Sequence, residues 1–152
     1  MSHSDEYLSL VQALDLAGIS LVKCSAKRQG QADLDRDLDA NFQLKSAHRI
    51  ASTEIDFRFK FLCTISQDEA PVAEILATYV ASFESAEGHN GDVEMVRQYA
   101  QDVAVMAVYP YYREFVQSTA ARLDLPGFTM GLVKRGEIVL DEIGDGVSPD
   151  SE

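Results

Sequence analysis

Tryptophan is absent, there are only two cysteines and three histidines, and cations are few. Each shortage removes a class of function. Thirteen Lys and Arg stand against 25 Asp and Glu, a formal charge of −12. A surface that tracks phosphates needs clustered Lys and Arg, so nucleic acid and anionic membrane are disfavoured as partners. Acidity of this size keeps a protein soluble and steers basic partners towards it at low salt. Cys24 and Cys63 lie far apart and outside any CxxC spacing. They cannot form a disulfide framework, and the expectation is two buried, reduced thiols, which suits the cytosol. His3, His48 and His89 fall in a tail, a strand and a loop, without ligand spacing. GxSxG, P-loop, GxGxxG and HExxH motifs are all missing. No apolar run approaches the roughly 18 residues of a membrane span. The start, Met1-Ser2-His3-Ser4-Asp5-Glu6, has no basic region before an apolar one, so no signal peptide is expected.

What is present fits one globular domain: 152 residues, 46% of them hydrophobic. Ser4 to Ala17 reads as a short helix, with Ser4 as N-cap, Asp5 and Glu6 in the first turn, and Gly18 as the stop. Tyr7, Leu10, Val11 and Leu14 share one face. Ile19–Ala26 reads as a first strand, residues 28–39 as a polar bend, and Asn41–Ile50 as a second strand with Phe42 and Leu44 alternating.

The cleanest signal is Glu54 to Ile65. Ile55, Phe57, Phe59, Phe61, Cys63 and Ile65 alternate with polar residues, Leu62 excepted. Strict period-two alternation predicts a strand with one buried and one wet face. Gln67-Asp68-Glu69-Ala70-Pro71 turns the chain into a partner strand, Val72–Glu84, with Ile75, Tyr79 and Phe83 on one face. Asp92 caps a helical pattern running to about Leu125, with Val105, Val108, Tyr109, Tyr112, Phe115, Val116, Thr119 and Leu123 as its stripe. Pro110 inside it predicts a kink or a new helix start. Phe128–Val133 and Glu137–Glu142, around Lys134-Arg135-Gly136, read as a short hairpin or a looser extended segment, and the acidic end as disordered. Strands grouped together and followed by helix define an α+β fold: a four-stranded antiparallel sheet under a long C-terminal helix, with an extra N-terminal helix.

Two acidic groups invite a metal reading. In Asp33-Leu34-Asp35-Arg36-Asp37-Leu38-Asp39, an EF-hand would need Gly at the sixth position and Glu at the twelfth. Leu38 and Leu44 stand there, so the motif fails. If extended, Asp33, Asp35, Asp37 and Asp39 line one side, as a solvated edge or a docking surface for a basic partner. Asp141, Glu142 and Asp145 belong to a floppy acidic tail rather than a chelate. No cofactor, metal or catalytic residue is expected, and no enzyme.

What remains is apolar surface. Phe57, Phe59, Phe61 and Tyr79 on the sheet, with Tyr109, Tyr111, Tyr112 and Phe115 on the helix, exceed what one helix can cover. Core packing takes most of them. The remainder must be buried by self-association or left as a groove suited to extended apolar peptide.

The segment Val108-Tyr109-Pro110-Tyr111-Tyr112-Arg113-Glu114-Phe115-Val116 resembles the signature helix of the SecB family: an aromatic, Pro-Tyr, one residue, then Arg-Glu. Tyr109, Pro110, Tyr111, Arg113 and Glu114 match it position for position. Arg122-Leu123-Asp124-Leu125-Pro126-Gly127-Phe128-Thr129 is similar to the end of that helix. The resemblance covers residues 18–133, leaving 1–17 as an N-terminal helix and 134–152 as a C-terminal extension. It implies a cytoplasmic bacterial homotetramer, a dimer of dimers. Such a protein binds unfolded precursors in apolar grooves without ATP and passes them to the translocation ATPase SecA. A divergent SecB-like branch, often with an extra N-terminal helix, instead protects an antitoxin. The helix at 4–17 resembles that branch, and the C-terminus lacks a second helix. No SecA-contact residue is assigned by motif. A small-molecule-binding α+β domain is the alternative from another class; it requires convergent polar groups in a sheet cavity.

Overall fold

The structure, a computed structural model, describes residues 2–89, 91–125, 128 and 141–142. The chain runs α1 (His3–Ala13), β1 (Asp15–Arg28), β2 (Asp39–Ile50), β3 (Glu54–Gln67), β4 (Ala70–Glu84), α2 (Val93–Tyr99), a π-helical turn (Ala100–Ala104), α3 (Val105–Arg122) and β5 (Asp141–Glu142). The sheet order is β1-β4-β3-β2-β5. The four long strands are antiparallel, as the sequence predicts. The two-residue β5 adds a parallel fifth strand against Lys45 and Ser46. The hairpin expected over 128–142 lies outside the described residues apart from Phe128 and β5.

Register explains how the core closes. On the helix-facing side of β4, small and large residues alternate: Ala73, Ile75, Ala77, Tyr79, Ala81 and Phe83. Three of β3's large side chains meet the alanines, in the pairs Ile65↔Ala73, Phe61↔Ala77 and Phe57↔Ala81. Alternation of large and small fills space at crystal-like density without strain. The other side of the core comes from Val96, Tyr99, Val105, Val108, Tyr112 and Val116. Tyr99 stacks on Phe57 and meets Phe83 edge-on, at 5.8 and 5.2 Å.

Connections follow local chemistry. Asp68 and Glu69 both take positive φ, 51° and 67°, which gives β3 and β4 a two-residue turn. Gln67 clamps the β1–β2 connection: its amide accepts from the Asp33 N–H at 2.8 Å and donates to the Asp33 carbonyl at 2.9 Å. Asp92 accepts from the Met95 N–H at 2.8 Å, the N-cap its position predicts.

Three local expectations are corrected. Ser2, not Ser4, caps α1: its hydroxyl accepts from the Asp5 N–H while Asp5 reaches back to the Ser2 N–H, a capping box. Gly18 does not stop the helix. Leu14 ends it with extended φ/ψ, and Gly18 sits inside β1, which begins at Asp15. The break in the long helix lies at Ala100–Ala104, upstream of Pro110, which is an exposed residue within α3. There the Val105 N–H reaches the Ala100 carbonyl, five residues back.

Candidate functional site

The helical layer packs on β3 and β4 and stops short of the outer strands. Two contacts hold α3 on the β4 side. The Tyr79 hydroxyl donates to the Tyr111 carbonyl at 3.2 Å, and the Arg28 guanidinium at the end of β1 donates to the Leu123 carbonyl. The consequence falls on β1, a 14-residue strand whose side chains are almost all exposed. Leu16, Leu21 and Val22 are 49%, 44% and 47% exposed. Leu16 and Leu21 are in register with Phe83 and Tyr79, so both belong to the helix-facing side and lie beyond the cover. On the other flank, Phe42 and Ile50 of β2 are uncovered in the same way.

Among the described residues nothing pairs with the outer edge of β1, so its N–H and C=O groups are presented to an incoming chain. At about 3.3 Å per residue, the edge runs roughly 45 Å. Bulges between Leu16 and Gly18 and between Leu21 and Lys23 bend it. Together these features form an apolar shelf beside a hydrogen-bonding edge. That arrangement suits an extended polypeptide, bound through its backbone with side chains on the shelf.

The residues singled out from the sequence divide sharply. Phe57, Phe59, Phe61, Tyr79, Tyr109 and Tyr112 are buried in the core of this chain. Tyr111, 55% exposed, and the half-buried Phe115 reach the surface of α3. Of the family motif, Pro110 and Glu114 are exposed and Arg113 is half-buried. Asp33, Asp35, Asp37 and Asp39 do not lie along one extended side. Residues 33–36 turn, with the Asp35 N–H on Asp33 Oδ1 at 3.0 Å, and Arg36 bridges Asp33 and Asp68. The hydrogen bond and charge of Asp68 raise the Arg36 pKa. Sequence reasoning missed Leu16, Leu21, Val22 and Ile50. The Leu21-Val22 doublet, which breaks alternation, was the available signal.

The thiols are corrected in part. Cys63 is buried, but Cys24 is exposed on β1. Burial pushes the Cys63 thiol up to about 12 and holds it in its un-ionised form, the opposite of an activated nucleophile. Burial, reinforced by Glu114, raises Tyr79 to about 12; burial and Asp15 raise Tyr99 to about 12. Tyr112 is raised further by burial. None of these groups is poised for proton transfer near neutral pH.

A cavity of about 380 Å³ lies between α1 and the loop before α2, lined by Glu6, Leu10, His89 and Met95 among others. Its histidine serves the loop. His89 Nε2 lies 2.7 Å from the Ala51 carbonyl, and Nδ1 accepts from the Gly91 N–H at 3.2 Å. Among the described residues no group of His, Cys, Asp and Glu could hold a metal, and no helix is long and apolar enough to cross a membrane.

The helical layer thus covers β3 and β4 and leaves Leu16, Leu21 and Val22 of β1 exposed at the sheet's edge. Two known proteins are similar to this chain in sequence or fold. The chain is 27% identical over 141 residues to the SecB-like chaperone SmegB of Mycolicibacterium smegmatis, covering 93% of this chain and 90% of that protein. Its fold matches the Mycobacterium tuberculosis Rv1957 SecB-like chaperone, solved in complex with a ChAD peptide from the Rv1956 HigA1 antitoxin. The TM-score is 0.79 at 21% identity, over 86% of this chain and 98% of that one. No family model matches the chain. The likeness first read from the Pro-Tyr-x-Arg-Glu helix thus extends through nearly the whole sequence and the fold.

Proposed function

We propose that this protein is an ATP-independent chaperone, a holdase that binds unfolded polypeptide and catalyses no reaction. The observation that carries this reading is β1: a long edge strand with no outer partner among the described residues, whose Leu16, Leu21 and Val22 are exposed. Binding draws on apolar burial, about 25 cal/mol per Å², opposed by the entropy of ordering the client. Release follows transfer or dilution. The similarity to SmegB supports the reading.

Self-association into a homotetramer, a dimer of dimers, and a cytoplasmic location belong to it. Two kinds of client fit: export precursors handed to SecA, and an antitoxin segment. The second is favoured because α1 is formed and because the structural neighbour was solved with an antitoxin peptide. The small-molecule alternative has the cavity beside α1 as its best site, and His89 there is engaged by the backbone on both ring nitrogens.

Light scattering tests the proposal. The expected solution mass is near four subunits, rising when a reduced, unfolded protein is added, with aggregation of that client suppressed. A protein that leaves every such client to aggregate is not a holdase. Binding confined to an antitoxin segment, with other unfolded clients left unbound, would assign the dedicated role.

A further inference from the structure

The cavity beside α1 lies apart from the β1 shelf and has a chemistry of its own. Its volume, about 380 Å³, is in the range of small-ligand sites. One face of α1 lines it from end to end, Glu6 in the first turn and Ala13 in the last. Buried Leu10 and Met95, with half-buried Ala13, make much of the lining apolar.

The donors around this cavity are engaged within the chain. His89 Nδ1 accepts from the Gly91 N–H, so Nε2 carries the ring proton and donates it to the Ala51 carbonyl. The His89 N–H donates to the Ser52 carbonyl at 3.2 Å, and the Gly88 N–H to the Ser85 carbonyl at 3.1 Å. Asp92 holds the Met95 N–H, and the Ser9 hydroxyl donates to the Asp5 carbonyl at 3.0 Å. No Lys or Arg stands among the described lining residues. What is left over accepts. Glu6 is exposed and brings a carboxylate to the rim. Ala13 sits where the last carbonyls of a helix lack intrahelical partners, and that turn holds no basic residue. The negative end of the helix dipole there favours a cation.

An anion would find no donor in such a site, and a purely polar ligand would waste its apolar lining. We propose that the cavity binds an alkylammonium group, with the ammonium beside Glu6 and its hydrocarbon stem against Leu10, Ala13 and Met95. The group is carried either by a free aliphatic amine or by the lysine side chain of a polypeptide. The net charge of −12 draws either towards the protein.

The test is a titration of the full-length protein with cadaverine, followed through the methionine methyl signals by NMR. Met95 lines the cavity, whereas Met106 on α3 does not, so Met106 registers general attraction of an amine to an acidic protein. Cadaverine should shift Met95 saturably and leave Met106 in place. Pentanol should bind more weakly, and glutarate not at all. Glu6→Gln should weaken cadaverine about fivefold. Ala13→Leu, which fills the cavity without changing its charge, should weaken it as well. Both variants should suppress aggregation of an unfolded client as wild type does, so failure here leaves client capture on β1 standing. Nα-acetyl-lysine amide binding as tightly as cadaverine supports a polypeptide side chain as the source, and binding of cadaverine alone supports a free amine. An unmoved Met95, equal shifts at Met95 and Met106, glutarate or pentanol binding as tightly as cadaverine, or wild-type affinity in both variants each overturns the proposal.

Discussion

Phe61 of β3 stacks on Tyr112 of α3 with ring centroids 4.1 Å apart and planes 19° from parallel. This pair fastens the helix to the sheet, and it separates two roles that both aromatics could have held. They are buried partners of each other, so removing either ring is a stability experiment. Phe61→Ala should cost about 3–5 kcal/mol, read by urea titration. Tyr112→Phe should do the reverse: the Tyr112 hydroxyl is buried without a partner, so its removal should stabilise by about 1 kcal/mol. A large loss in Tyr112→Phe would mean the hydroxyl is bonded.

Client capture should respond at β1 instead. Leu21→Asp places a charge on the shelf while leaving the core intact, so its stability should stay within about 0.5 kcal/mol of wild type. Affinity for an unfolded client, measured by anisotropy, should fall about tenfold. Undiminished affinity would move the binding surface away from this edge.

High pH should unfold the protein, with a defined onset. Cys63 ionises ordinarily near 9.0 and is raised to about 12; Tyr79 and Tyr99 move from 10.0 to about 12. With folded pKa values above unfolded ones, the native state holds more protons than the unfolded state between pH 9 and 12. Stability from these groups is therefore complete below pH 9 and is lost as pH rises towards 12. In Cys63→Ala the onset should move up to about 10, the ordinary tyrosine value, as followed by circular dichroism.

The β3–β4 turn holds Glu69 at φ 67°, a conformation that costs a side-chain-bearing residue roughly 1–2 kcal/mol. Glu69→Gly should raise the thermal midpoint by a few degrees, from a gain of about 1 kcal/mol. Scanning calorimetry would decide it.

How much of this was legible depended on burial. β3 was read nearly residue for residue because both its neighbours are strands and one face is sealed, so every inward position must be apolar. β1 was cut short and its apolar shelf passed over, because an edge strand lies under no such constraint. Its bulges break the period, and Gly18 imitates a helix stop. The same looseness hid the exposure of Cys24. The π-helical turn left no trace, since it changes which carbonyl an N–H reaches without requiring a residue type. Asp33 to Asp39 misled for a related reason. Alternation on paper assumes an extended backbone, and the Asp33 carboxylate instead bonds its own chain into a turn. The family motif was visible, but which of its aromatics face inward was decided by packing against β3 and β4.

The parallel strand β5 sits at Lys45 and Ser46, the midpoint of β2. A sheet with two open edges can add copies at both ends and grow into a fibre. Here β5 blocks a foreign strand from pairing along the full length of β2, while among the described residues β1 has no outer partner along its 14 residues. Growth by edge pairing is therefore one-ended, and a client strand laid on β1 closes the one full-length edge that the described residues leave for pairing.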